Sequence, residues 1–160
     1  MSVKPTKEHA WLQKLIGDWT YQHDMPPVDG KPAEKLTGTE TFRALGEVWV
    51  QGEARGQMPG EGDTVSLMTL GFDPAKNRFV GSWIGSMMSN LWVYDGELSA
   101  DGRTLSLFSD GPAMDGSNTT APYKDVITIV NENERTLTGN HQTPDGAWHQ
   151  FMITHFRRAK

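Results

Sequence analysis

Three sets of residues in this chain could do chemistry by type and spacing. The first is aromatic and thioether: the sequence holds six Trp and eight Met in 160 residues. Trp49, Trp83 and Trp92 fall on segments that also carry Met68, Met87 and Met88. Tryptophan joins a large apolar body to one N–H donor, and methionine fits its polarizable sulfur to irregular surfaces. Together they suit the wall of a pocket for an apolar or amphipathic molecule, or else they simply fill a core. Ser86-Met-Met-Ser89 reads as a small polar and Met segment at a rim, or as a plain turn. The second set is histidine, with His141, His149 and His155 close to the C-terminus. The third is Glu53, which alternation places on one face with Trp49, Gln51 and Arg55. A carboxyl beside a Trp-lined cavity could serve as acid or base once burial raises its pKa, and it could equally pair with Arg55.

Several chemistries are excluded. Cysteine is absent, which removes disulfides, thiolate metal sites and thiol nucleophiles and fits a reducing compartment. There is no Gly-x-Ser-x-Gly elbow, no phosphate-cradling loop and no His-Glu-x-x-His. A formal net charge of -5 opposes phosphate binding, so nucleic acid is not an expected partner. The basic residues Arg157, Arg158 and Lys160 read as a solvated end. No run of about 18 apolar residues could span a bilayer. Met1 to His9 lack the apolar stretch of a secretory signal, so the expected location is the cytoplasm.

Residues 8–16 place Trp11, Leu12, Leu15 and Ile16 at helical spacing before Gly17, which predicts one short amphipathic helix. Turn dipeptides punctuate the rest: Asp29-Gly30, Asp73-Pro74, Asp95-Gly96, Asp101-Gly102, Asp115-Gly116 and Asp145-Gly146. Between them we expect strands over 18–24, 36–45, 47–57, 64–72, 78–85, 89–99, 103–110, 123–131, 134–142 and 147–157. Two long loops, 24–35 and 110–122, would border a mouth. Ten sequential hairpin strands avoid open edges most simply by closing, so the expected fold is a single all-β domain, residues 1–160. It would be an antiparallel up-and-down barrel of about ten strands, like lipocalins and fatty-acid-binding proteins, with a short N-terminal helix. A two-sheet sandwich is the rival.

In the last strand, a period of two puts His149, Phe151, Ile153, His155 and Arg157 on one face, expected inside. Trp148, Gln150, Met152, Thr154 and Phe156 fall on the other, expected outside. A turn at Thr143-Pro-Asp-Gly146 would set 142 against 147 and 141 against 148. That puts His141 and His149 on opposite faces unless a bulge shifts the register. His149 and His155 are about 20 Å apart along a strand, so no shared metal ion is expected.

Gly17-Asp-Trp19 after a short helix resembles the Gly-x-Trp start of lipocalin and related calycin barrels. That resemblance implies a C-terminal arginine, Arg157 or Arg158, stacked on Trp19 across a closed end, with Gly17, Trp19 and Arg157 as its structural signature. Most of the chain is similar to a bacterial family known only as a domain of unknown function. The matching positions include His9, Leu12, Leu15, Gly17, Trp19, Gly38-Thr-Glu-Thr-Phe-Arg43, Leu45-Gly46 and Trp49. They continue at Gly71-Phe-Asp73, Phe79, Trp83, Ser86-Met87 and Asp101-Gly-Arg-Thr-Leu105, and end at Arg157. Where Gly85 and His155 stand, that family often has an acid and a Tyr. The layout also resembles nitrobindin-type barrels, which would imply a haem held by His155 or His149; otherwise no cofactor is expected. The reading taken into the structure is a cavity that binds a small apolar or amphipathic molecule. Its expected wall is Trp49, Gln51, Glu53, Met68, Trp83, Ser86, Met88, Trp92, Phe151 and His155, with no metal. The alternatives are a barrel enzyme using Glu53 or a His, and an assembly protein forming a homodimer through outward Trp148, Met152 and Phe156.

Overall fold

The computed structural model describes residues 3–25, 34–58 and 60–159. Helix α1 (Lys7–Leu12) runs into a 3-10 turn over Gln13–Leu15. Ten strands follow: β1 (Gly17–Met25), β2 (Glu34–Leu45), β3 (Trp49–Met58), β4 (Gly62–Asp73), β5 (Arg78–Gly85), β6 (Trp92–Leu98), β7 (Thr104–Pro112), β8 (Thr120–Asn131), β9 (Glu134–Gln142) and β10 (Trp148–Arg158). Each pairs antiparallel with its sequence neighbours, and β1 pairs with β10, so the sheet is a closed barrel. The rival sandwich is thereby ruled out. The tip of the expected 24–35 loop, residues 26–33, lies outside the described residues. The expected 110–122 loop shrinks to 113–119 because β7 and β8 pair as far as Pro112 and Thr120.

The helix is shorter than its hydrophobic spacing suggests. Ile16 is already extended, with ψ 135°, and Gly17 enters β1 at φ +133°, a conformation L side chains rarely adopt. A Cβ there would also sit 2.3 Å from Arg158 Nη1, so glycine is required twice over. At the other end of α1, the Thr6 N–H donates to His9 Nδ1 (2.9 Å), and His9 Nε2 donates to the Phe72 carbonyl (2.9 Å). His9 thus pins the helix across one end of the barrel.

That end is packed solid. Trp11, Leu12 and Leu15 descend from the helix onto Phe42, Val50, Leu70, Phe79 and Leu105, all buried. Each such side chain contributes about 1.5–3 kcal/mol through its removal from water. Glycine makes room on both faces of the wall. A Cβ on Gly52 would lie only 2.6 Å from the inward Phe42 ring, and one on Gly71 only 2.5 Å from the Trp49 ring outside.

Two expectations about which way side chains face are corrected here. In β3 the inward residues are Val50, Gly52 and Ala54, so Trp49, Gln51 and Glu53 lie on the outer wall. In β10 a bulge between Gln150 and Met152 breaks the alternation. Beyond it Met152, Thr154 and Phe156 point inward, while His155 and Arg157 point to solvent. The outward apolar set invoked for a homodimer therefore reduces to Trp148, which is itself covered by Phe108 and by the Lys124 ammonium, 4.7 Å from its ring. The 143–147 turn is one residue longer than expected and sets Trp148 opposite Gln142. His141 and His149 therefore share a face, with ring centroids 5.5 Å apart.

Candidate functional site

The half of the barrel opposite α1 is hollow. There the strand alternation continues, and the inward residues enclose an open-mouthed cavity of about 370 Å³. That volume falls in the range of small-molecule pockets. The apolar lining comes from Met68, Trp83, Trp92, Leu137 and Phe151, with Met58, Met88, Met114 and Met152 toward the mouth. Trp83 and Trp92 are directly paired across β5 and β6. The Trp92 indole N–H contacts Met88 Sδ at 3.1 Å, which ties the segment after β5 to the cavity rim. Tyr123 stands edge-on to both Trp92 and Phe151, with centroids 4.9 and 6.2 Å away, and its hydroxyl donates to the Pro112 carbonyl.

Polar groups are few and deliberate in placement. Tyr21 lies flat over Gly38 and Gly56, where any Cβ would approach its ring or hydroxyl within 2.3 Å. Burial, reinforced by the Glu40 charge, raises its pKa. Beside it His23 is buried, with Nδ1 sharing a 2.6 Å hydrogen bond with the Thr154 hydroxyl. Its Nε2 is buried without a partner, and burial lowers its pKa despite the nearby Asp24, so the ring is neutral at pH 7. On the far wall Asp125 accepts a 2.6 Å hydrogen bond from the Tyr94 hydroxyl. Burial pushes the Asp125 carboxyl up to about 6, against the opposing effect of that hydrogen bond, and raises Tyr94 well above the ordinary phenol range. Glu40 also reaches the cavity, but it is bound to Arg135 in a buried ion pair.

Arg135 forms the floor between hollow and packed halves. Its guanidinium lies 3.8 Å from the Phe156 centroid and 4.6 Å from that of Trp19. On the outer side of Trp19, Arg158 stacks at 4.2 Å, and its Nη1 donates to the Ile16 carbonyl at 2.7 Å. The stacking arginine is therefore Arg158. Arg157 points to solvent and pairs with Glu134, because the alternation that turns Phe156 inward turns its neighbour out.

The structure sorts the residues expected at the site. Met68, Trp83, Met88, Trp92 and Phe151 line the cavity. Ser86 does not; its hydroxyl accepts from the Val65 N–H and closes the β4–β5 end. Trp49 covers Gly71 outside, Gln51 reaches the outward Thr69, and Glu53 pairs with Arg55 in solvent. Glu53 therefore cannot act on a molecule held inside. His155 pairs with Asp24 on the outer wall, and His149 is exposed beside Thr143. His155 points away from the cavity, and His149 is not among the residues that line it. No group of three His, Cys, Asp or Glu side chains suited to a metal occurs among the described residues. Among the described residues, no helix is long and apolar enough to cross a membrane.

With this geometry in place, comparison with known proteins is informative about lineage. A family model described as "Protein of unknown function (DUF1579)" matches residues 4–158. The chain belongs to the DUF1579 family. No curated protein matches it. Among solved structures, the barrel is similar to an S-type phycobiliprotein lyase, CPES, from Guillardia theta, at TM-score 0.58 and 13% identity over 98% of this chain and 94% of that one. It is also similar to EF1p2_mFAP2b bound to DFHBI, at TM-score 0.47 and 12% identity over 94% of this chain and 98% of that one. At such identities the likeness is one of fold. The inward polar residues Tyr21, His23, Glu40, Tyr94, Asp125 and Arg135 were not anticipated from the sequence. A signal for three of them was present, because Tyr21 and His23 continue the inward alternation begun by Trp19, and Asp125 stands midway between Tyr123 and Ile127.

Proposed function

We propose that this DUF1579 protein binds one small, largely apolar molecule in the open half of its barrel. The observation that carries this reading is the contrast between the two halves: one is filled by helix-borne and strand-borne side chains, while the other is an apolar cavity of about 370 Å³. His23 stands on the same wall, its Nδ1 hydrogen-bonded to the Thr154 hydroxyl. Desolvation of apolar ligand surface against Trp83, Trp92 and Phe151 would supply most of the affinity, and the polar groups would set orientation. An S-type phycobiliprotein lyase has a similar barrel, which is compatible with a small molecule as cargo. Native mass spectrometry of protein purified from its own host tests the proposal. A reproducible adduct of small-molecule mass, released on unfolding and absent after Trp83→Ala, is expected. Only bare protein, together with no saturable binder in a broad screen, would overturn it.

A further inference from the structure

The charges that face the cavity are of one sign. Among the described residues, no Lys or Arg lines it, whereas two carboxylates do, Glu40 and Asp125. They are not equivalent. Glu40 is neutralised by Arg135, whose guanidinium is itself held between Phe156 and Trp19. Among the described residues, Asp125 has no cation partner: its one side-chain hydrogen bond comes from the Tyr94 hydroxyl, onto Oδ2, and Oδ1 has none. The remaining titratable groups on the lining are Tyr21, Tyr123 and His23. Burial holds both phenols protonated and His23 neutral at pH 7.

An ionised carboxylate in an apolar cavity, supported by a single hydroxyl, is an incomplete pair. Charges buried without a counter-ion are disfavoured, and a ligand bringing the opposite charge removes that penalty on binding. Conversely, a carboxylate ligand would meet Asp125 with no free arginine to offset the repulsion. The aromatic wall adds to the same preference, because the faces of Trp83, Trp92 and Tyr123 attract cations.

Resting on the binding reading above, we propose that the ligand class is an apolar molecule carrying a protonated amine or comparable cationic N–H group, held by Asp125. The site discriminates against fatty carboxylates.

The test uses three ligands with the same chain, decylamine, decanol and decanoate, titrated into the full-length protein at pH 7.5 below their aggregation concentrations. Binding is followed by isothermal calorimetry. The expected order is amine, then alcohol, then carboxylate, with the amine about tenfold or more tighter than the alcohol, as one charge-assisted contact provides. Asp125→Asn keeps the side-chain shape and an acceptor for Tyr94, and it should bring amine and alcohol to within about threefold of each other. Its thermal melt verifies folding, and the wild-type ranking stands without it. Decanoate binding as tightly as decylamine would overturn the cationic preference, while decanol binding would leave the cavity reading intact. An amine preference that persists in folded Asp125→Asn would overturn the role of Asp125. If none of the three binds, both the preference and the apolar cavity reading fail.

Discussion

Arg135 and Glu40, 95 positions apart in sequence, form an ion pair inside the barrel with both side chains buried. They come from β9 and β2, which are separated in the sheet by β10 and β1, so the pair reaches across the interior and does not follow a hydrogen-bonded ladder. Arg135 stays ionised there because the loss of water, which lowers its pKa, is countered by Glu40.

Breaking that pair from one side should be costly. Glu40→Ala leaves a guanidinium uncompensated, and a loss of about 3–5 kcal/mol is expected. The double change Glu40→Leu with Arg135→Met removes both charges and keeps volume, and it should recover most of that loss. Urea denaturation with an unchanged slope measures both. Equal destabilisation of single and double variants would show that the charge interaction is not what holds the floor.

At the closed end the two C-terminal arginines should behave differently. Trp19→Ala should destabilise by about 3–5 kcal/mol, because the ring is buried under two guanidinium groups. Arg158→Ala should cost about 0.5–2 kcal/mol through its stacking alone, with a further loss from its bonds to the Ile16 and Lys14 carbonyls. Arg157→Ala, exposed and paired only with Glu134, should stay within about 0.5 kcal/mol. Thermal melts of the three variants decide it; an Arg157 effect as large as that of Arg158 would contradict the assignment.

The two cavity groups with shifted pKa values should leave opposite marks on stability. Asp125 holds its proton to about pH 6 in the folded protein, against an unshifted 3.8. The folded state therefore binds more protons between those values, and stability falls as pH rises through that window, by about 3 kcal/mol for a shift of this size. His23 is lowered from 6.5. Its stabilising contribution is present above pH 6.5 and is lost as pH falls through the folded value. Facing these groups are Tyr94, Tyr21, Tyr123 and the Glu40–Arg135 pair. Unfolding free energies from pH 4 to 8 should show the falling component vanish in Asp125→Asn and the rising one vanish in His23→Gln. A pH profile unchanged by Asp125→Asn would contradict the assignment of that carboxyl.

The strands and closure of this barrel were readable because turn dipeptides such as Asp101-Gly102 and Asp145-Gly146 sit where hairpins bend. Inward and outward were harder. In β3, Trp49 looks like a core residue, yet the inward row is Val50, Gly52 and Ala54, kept small so that Phe42 can cross beneath. The outer Trp49 finds its burial on Gly71 of the next strand, a contact that periodicity in one segment cannot reveal. In β10 the extra residue at Phe151 re-aims every side chain beyond it, and one extra residue in the preceding turn brings His141 and His149 onto one face. The five inward residues of the site that were anticipated are the large apolar ones, whose type announces burial. Asp125 and His23 were missed because a buried polar side chain is recognised by its partners, Tyr94 and Thr154, and these lie on other strands.

The central claim is that the hollow half of the barrel is a ligand site, and its most direct measurement is a tryptophan-fluorescence titration with an apolar environment-sensitive probe. Saturable quenching at about one site per chain is expected, weakened about fivefold or more by Trp83→Ala or Trp92→Ala, as loss of an apolar contact worth about 1–3 kcal/mol implies. Trp49→Ala and Trp148→Ala, on the outer wall, should leave affinity unchanged. Saturable binding that is lost with the outer tryptophans and indifferent to Trp83 and Trp92 would contradict the claim.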